Sequence, residues 1–576
     1  MNSVVLLLGG FIILILGYLF YGRWLAKTWG IDPSRETPAH TKQDGMDYVP
    51  AKAPVLMGHH FSSIAGACPI NGPIQAAVFG WVPVMLWVLI GGIFIGATHD
   101  FGALFASIRH NGASIGEVIA STIGKRAKRL FIIFSWLALI LVIAAFGSIV
   151  ANTFKATFTE AGIVDTAASA ANASTATISI LFIIISIAFG YFVYRKNMNI
   201  VVGSVIGVIG IVLCLFIGIN FHPIYLSGTT WMIIVGIYIL IASVTPVWIL
   251  LQPRDYLSSF LLYALMALAV IGIIGAHPDL NIPAFTGFKD ELSVEVLHGS
   301  AGLGYLFPAL FVTIACGAIS GFHSLISSGT TSKQLDSEAH ALPIAYGSML
   351  IECALAIVSL CALSYVWNDV AAGEVGFVPT TVFASGIAKM LSVIPGLENT
   401  YSTAYSLLVL AVSVFCLTSL DTAARLARYM FQEFWLDEGQ TYKDVTGAKH
   451  YLAHPLVATA ISVVLGIALG LTGYAKIWAL FGASNQLLAA LALLAVAVWL
   501  GKNGKNNKML FIPMVFMLVV TVVALIQAIF TNCGQIMAGE DGVWCYVRAI
   551  LAFLLVVLAI ILAIESFQTL SKQKKA

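Results

Sequence analysis

The sequence predicts an all-α polytopic membrane protein of about 15 transmembrane helices, built around a set of five repeated in inverted orientation. Three observations carry that prediction. Hydrophobic residues make up 59% of the chain and charged residues only 10%, against about a quarter charged in an ordinary soluble domain. Apolar runs of about 20 residues, the length that crosses a bilayer core, recur from end to end. Lys and Arg gather on alternate connections between those runs, as they do on cytoplasmic loops.

Composition sets the class. A soluble fold of 576 residues with a mean hydropathy of +0.94 has no way to cover its apolar surface. The net charge of +2 leaves no basic face for nucleic acid and no acidic one for cationic partners. The first run, Val4 to Phe20, has no positive charge before it and is followed by Arg23 and Lys27. That is the reverse of a cleavable signal peptide, so it is expected to remain as an anchor with its N-terminus outside.

The runs lie near 3 to 26, 56 to 80, 82 to 108, 130 to 153, 176 to 195, 199 to 219, 229 to 252, 256 to 276, 303 to 328, 342 to 366, 401 to 420, 452 to 473, 475 to 500, 508 to 530 and 545 to 566. With the first end outside, 24 of the 29 Lys and Arg fall on inner connections and the tail, Lys574 and Lys575 included; Lys155, Lys289, Lys389, Lys476 and Arg548 fall outside. One miscounted run would invert every later loop and erase this bias. Fifteen spans, a cytoplasmic C-terminus and an inner-membrane location follow as expectations. The expected organisation is an N-terminal helix and cytoplasmic loop over 1–55, inverted repeats over 56–219 and 229–420, and accessory helices over 421–576.

Transporters place substrate where membrane helices unwind, because freed backbone groups must face a cavity or a ligand. The second run contains Gly66-Ala67-Cys68-Pro69-Ile70-Asn71-Gly72-Pro73, with two prolines and two glycines in eight residues, which cannot be continuous helix. The seventh contains Ser243-Val244-Thr245-Pro246, a milder break whose alternative reading is a simple kink. Each carries a helix-start signal, Asn71 or Gly72 before Pro73 and Thr245 before Pro246. Two half-helices starting near the bilayer centre and running to opposite faces would aim their positive ends at one point, suited to a carboxylate. Gly66, Ala67, Cys68, Asn71, Gly72, Ser243 and Thr245 are therefore the candidate substrate-binding residues. Gly72 is expected to keep the backbone N–H groups open to the ligand.

Ionisable groups at membrane depth are functional candidates. His59 and His60 of the second run and His99 and Asp100 of the third are expected at similar depth, near His323 of the ninth. Together they read as a proton relay, a structural hydrogen-bond group or a transition-metal site, although no tight ligand spacing favours the metal. Glu352, nearly mid-membrane in the tenth run, is a further protonation site. Arg254, Asp255 and Asp421 lie at cytoplasmic edges, as gate residues or as ordinary surface ion pairs. Ser327, Ser328, Thr330 and Thr331 offer oxygens to Na⁺ or to a helix end, and Asn485-Gln486 reads as interhelical glue. Six of the eight cysteines sit in apolar runs; Cys533 and Cys545 share one outer loop, where a disulfide could form. No H-E-x-x-H is present, and Gly124-Lys125 lacks the rest of a P-loop. No enzyme activity, metal or cofactor is expected, and ATP-driven transport would need another subunit.

The ordered set Asp47-Tyr48-Val49-Pro50 with Gly58-His59-His60-Phe61, His99-Asp100-Phe101, Pro253-Arg254-Asp255-Tyr256-Leu257-Ser258, Ser327-Ser328-Gly329-Thr330-Thr331, Leu420-Asp421-Thr422-Ala423 with Arg425, and Phe481-Gly482-Ala483-Ser484-Asn485-Gln486-Leu487-Leu488 resembles the carbon starvation protein CstA family. The resemblance runs through nearly the whole chain. It implies the five-plus-five inverted, LeuT-like fold of the amino acid, polyamine and organocation transporters. It also implies import of peptides or pyruvate by starved bacteria, driven by a proton gradient or, alternatively, by Na⁺. A channel or membrane sensor is the rival from another class. The family does not choose between pyruvate and peptide, and the sequence leaves the oligomeric state open.

Overall fold

The computed structural model describes residues 2–160, 162–295, 302–437, 440–539 and 542–573; Lys574 and Lys575 lie outside the described residues. In chain order its principal helices are α1 (Ser3–Trp29), α2 (Ala53–Ala65), α3 (Cys68–Ala76), α4 (Trp81–Arg109), α5 (Lys125–Phe154), α6 (Thr166–Val193), α7 (Ile200–Asn220), α8 (Gly228–Val244), α9 (Leu251–Ala276), α10 (Leu306–Thr313), α11 (Gly321–Gly329), α12 (Glu338–Ala371), α13 (Pro379–Ser392), α14 (Tyr401–Trp435), α15 (Pro455–Gly470), α16 (Lys476–Lys502), α17 (Lys508–Met537) and α18 (Val543–Thr569). One short hairpin, Thr157–Phe158 against Val164–Asp165, precedes α6.

Among the described residues, eleven helices are long and apolar enough to cross a membrane; α8 and α15 are apolar but shorter. Each of the fifteen apolar runs falls on helix, with α2 and α3 sharing one run and α10 and α11 another. Helix is what such sequence must form where no water can satisfy the backbone. Burial then sorts the helices. The most apolar 18-residue stretch of α16 is buried throughout, as a core helix should be. α7 is mostly exposed and buries only Gly203, Gly207, Ile211, Cys214 and Gly218, a small-residue stripe that lets it approach Phe189, Ile178 and Leu257 closely. Helix α13 was not foreseen; it is buried on most of its length and packs against α12, α14 and α9.

The first break falls where the sequence places it, with different internal detail. Gly66, at φ +45°, ends α2, a conformation that L side chains rarely adopt. The next half-helix begins at Cys68 with Pro69 in its first turn, and Pro73 lies inside it. The expected start at Asn71 or Gly72 is thus corrected by about a turn, because Pro69 serves a first turn as well as Pro73 would.

The second break is not at Thr245. Thr245 caps the C-terminal end of α8, and α9 begins only at Leu251, so Ser243–Pro246 is the end of one helix and the turn into another. The interrupted partner of α2–α3 is α10–α11, non-helical over Ile314–Ser320. Its freed backbone is satisfied from α16. Gln486 Nε2 donates to Ile314 O at 3.2 Å and also to Phe311 O, while Asn485 Oδ1 accepts from Phe322 N at 2.8 Å and Asn485 Nδ2 donates to Ser320 Oγ at 3.0 Å. The glue expected of Asn485-Gln486 is therefore what holds the break open. The two breaks lie backbone to backbone: a β-carbon on Gly72 would stand 2.8 Å from Thr313 O and 2.9 Å from Ile314 Cα.

Candidate functional site

The two breaks meet at this contact: a β-carbon on Gly317 of the second break would stand 3.6 Å from Pro69 Cα, so the start of α3, the positive end of a helix dipole, faces the unwound backbone before α11. Gly66, Ala67, Cys68, Asn71 and Gly72 lie on its α2–α3 side. Asn71 is buried with its Oδ1 unpartnered, and the Cys316 thiol of the second break lies against Cys68 and His323. Ser243 and Thr245 are elsewhere. Ser243 Oγ pairs with Thr459 Oγ1 at 3.3 Å, and Thr245 Oγ1 donates to Ile241 O at 2.8 Å.

Beside the breaks runs a buried chain of titratable side chains. In α4 a π-helical turn, Gly91–Gly96, carries Gly96 so close to Ala318 O that a β-carbon would stand 2.2 Å away. One turn later His99 and Asp100 reach α11. Asp100 Oδ1 accepts from His99 Nδ1 at 2.7 Å and Oδ2 from His323 Nδ1 at 2.8 Å, since an ionised carboxylate only accepts. His323 Nε2 lies 3.5 Å from Glu352 Oε2. All four side chains are fully enclosed, and His99 Nε2, His323 Nε2 and both Glu352 oxygens lack an aligned hydrogen bond. Two carboxylates buried this way need protons or cations for company. Cys316, His323 and Glu352 bring one donor atom each within 4.8 Å of one another, so the same pocket offers a mixed sulfur, nitrogen and oxygen set to a small divalent ion.

His59 and His60 part company. His60 Nδ1 pairs with Thr331 Oγ1 at 2.8 Å and leaves Nε2 unpartnered, on the side of Asp100 and His323. His59 instead donates from Nδ1 to Asp255 Oδ2 at 2.6 Å and joins a second network. There Arg254 holds Asp421, Tyr238 OH (2.5 Å) and Asp255 Oδ1 (3.4 Å), Tyr238 OH donates to Asp421 Oδ2 at 2.7 Å, and Ser63 Oγ joins Asp255 at 3.3 Å. The reading of Arg254, Asp255 and Asp421 as surface ion pairs is corrected: they are at most 1% exposed and form one buried cluster linking α8, α9, α14 and α2. Ser327, Ser328, Thr330 and Thr331 do not converge on an ion; Ser328 and Thr330 bond back to their own helix and Thr331 meets His60.

Below this cluster the loop before α2 is latched. Asp47 Oδ1 receives Arg425 Nη1 at 3.0 Å, and Arg425 also reaches Ala242 O at 3.0 Å and Thr245 O. Burial alone would raise the Asp47 carboxyl, but Arg425, Lys333 and Arg428 hold it down at about 2. A folded value below the unfolded one, about 3.9, stabilises fully above that value and is lost as pH falls towards about 2. Asp47→Asn is therefore expected to lower stability by about 2 kcal/mol equally at pH 5 and pH 8. Thermal unfolding of the solubilised protein at the two pH values checks this; a deficit present at only one of them would contradict it.

The geometry also changes what Gly72 does. It is a contact with Thr313 and Ile314 rather than an open approach to ligand. Gly72→Leu should cost folded protein, about 1–3 kcal/mol by overpacking, whereas Gly534→Ala, in α17 with nothing near its β-carbon, should not lower stability. Melting temperatures of the two variants decide; an unchanged value for Gly72→Leu would restore the open approach. The expected Cys533–Cys545 disulfide is not formed. Cys533 is exposed on α17, while Cys545 is buried with its Sγ 3.3 Å from Arg548 Nη2.

Sequence reasoning missed Cys316 and Ser320 and the break they sit in. The only local signal is Gly317 followed by Ser320-Gly321, without a proline.

The family model of carbon starvation protein CstA matches residues 2–373 and 368–524. The chain is 35% identical to a peptide transporter CstA of Campylobacter jejuni, over 94% of this chain and 81% of that one. It is 31% identical to the peptide transporter CstA of Bacillus subtilis, over 97% of both. It is also 31% identical to the pyruvate/proton symporter BtsT of Escherichia coli, over 90% of this chain and 81% of that one.

Proposed function

The chain belongs to the carbon starvation protein CstA family, and from that premise we propose that this multi-pass membrane protein imports a small carboxylate-bearing nutrient, a peptide or pyruvate, by proton symport. The observation that carries the proposal is the contact of the two helix breaks, Cys68–Pro69 against Cys316–Gly317, beside the His99–Asp100–His323–Glu352 chain. Helix N-termini bind the substrate carboxylate, with Ala67, Cys68, Asn71 and the Gly317–Ser320 stretch around it. The carboxylate–imidazole chain takes up the coupled proton. Peptide and pyruvate are what relatives are named for, and both present a carboxylate. Protons are preferred to Na⁺ because the buried chain beside the breaks is built of titratable groups, two imidazoles and two carboxylates, in mutual contact.

In this reading the chain spans the membrane fifteen times, N-terminus outside, with α2–α3 and α10–α11 each counting once and α13 lying at the outer side. The inverted repeats then open at the two broken helices. One runs over 53–276 with α6 and α7 as an inserted hairpin, and the other over 306–502. Matching neighbours support this: α5 packs on α14, α8 on α15, α3 on α12 and α11 on α4. It replaces 56–219 and 229–420, which assumed a break at Pro246.

Uptake of labelled pyruvate, dipeptide and tripeptide into proteoliposomes tests the function. Saturable accumulation of one substrate class against its gradient, driven by an imposed pH difference, is expected. Non-saturable flux that only equilibrates would favour a channel and overturn the proposal.

A further inference from the structure

On the face that carries most of the basic residues, the ends of α1, α4 and α16 and the short helix Ile115–Thr122 enclose a cleft of about 440 Å³. Arg35, Arg109, Lys502 and Lys505 line it with His110, Ser121 and Asn503, and Trp29, Phe105 and Trp499 make its apolar wall. No carboxylate lines it. Glu338, buried outside the lining, holds one guanidinium nitrogen of Arg109 at 2.7 Å, and the exposed Asp32 carboxylate faces Arg109 and Arg35 from outside it, leaving Lys502 and Lys505 without a carboxylate partner among the described residues. Arg109 is fixed further by Gly30 O at 3.1 Å and by the Phe105 ring at 5.0 Å, and its Nε is buried without a partner. Lys502 Nζ is held by Ser121 O at 3.1 Å. Four cations facing one space repel each other unless an anion joins them, and aromatic walls keep that attraction from being screened by water.

We propose that this cleft binds a phosphate ester, recognised by Arg109, Lys502, Lys505 and Arg35. A phosphodiester headgroup offers two free acceptor oxygens and one negative charge, a phosphate monoester three and nearly two, and either suits a guanidinium flanked by ammonium groups. The buried indoles of Trp29 and Trp499 add apolar surface beside the basic mouth, the pairing found at membrane–water interfaces. The ester has two sources: the headgroup of an anionic phospholipid, or a soluble phosphorylated metabolite.

The full chain, purified in neutral detergent, is titrated with phosphatidylglycerol, phosphatidylcholine and glycerol 3-phosphate while melting temperature and bound lipid are followed, the latter by native mass spectrometry. Phosphatidylglycerol is expected to bind and raise the melting temperature, and phosphatidylcholine is not. Lys502→Gln with Lys505→Gln, both exposed and outside the transport machinery, should weaken binding tenfold or more, and 0.5 M salt should do the same. Binding of glycerol 3-phosphate at matching affinity assigns the site to a soluble ester; binding of phosphatidylglycerol alone assigns it to lipid. Failure of both, equal binding of phosphatidylcholine, or unchanged affinity in the double variant overturns the proposal.

Discussion

Asp100→Asn is expected to abolish concentrative uptake while leaving a folded protein in the membrane. Asp100 is the one acceptor shared by His99 and His323. An amide of the same shape replaces one carboxylate oxygen with a donor, so one imidazole must turn its lone pair towards it and the chain loses its central charge. A carrier without its proton step can still exchange substrate across the membrane, so counterflow should survive where accumulation fails. Accumulation at the wild-type level would dismiss the relay. Glu352→Gln, at the far end beyond His323, should act in the same direction.

Arg254→Met is expected to cause the largest loss of stability of any single change, about 3–5 kcal/mol, because it strands two buried carboxylates, Asp421 and Asp255, without their cation. The penalty comes from the unpaired charges more than from the lost attraction. Arg254→Met combined with Asp421→Leu should therefore recover part of it, as apolar replacement of buried pairs commonly does. Melting of solubilised variants reads both; a double variant no better than the single one would show that the cluster acts through packing.

The apolar runs were legible because lipid contact and burial both demand continuous hydrophobicity, and neither depends on knowing a helix's neighbours. The first break was legible for a local reason, two prolines and two glycines within eight residues. The second was not. Its carbonyls and N–H groups are satisfied by Gln486 and Asn485, about 165 residues away in the chain, so nothing near Cys316 had to advertise it. Pro246 misled because proline marks helix ends as readily as mid-helix breaks, and here it follows the end of α8. Helix α13 escaped because Thr380, Thr381, Ser385 and Lys389 interrupt its hydrophobicity. Asp100 and His323 were read as near one another from depth alone, and the structure bonds them. His59 and His60 were read together, yet adjacent residues on a helix point about 100° apart, which sends His59 to Asp255 and His60 towards Asp100.

The coupling is tested most directly by proton movement itself. Proteoliposomes containing a trapped pH-sensitive dye, with no imposed gradient and no Na⁺, receive external pyruvate or dipeptide. The account predicts that the transported one acidifies the lumen in step with its uptake, and that Asp100→Asn removes the acidification. Uptake without acidification, or uptake that begins only when Na⁺ is added, would contradict it.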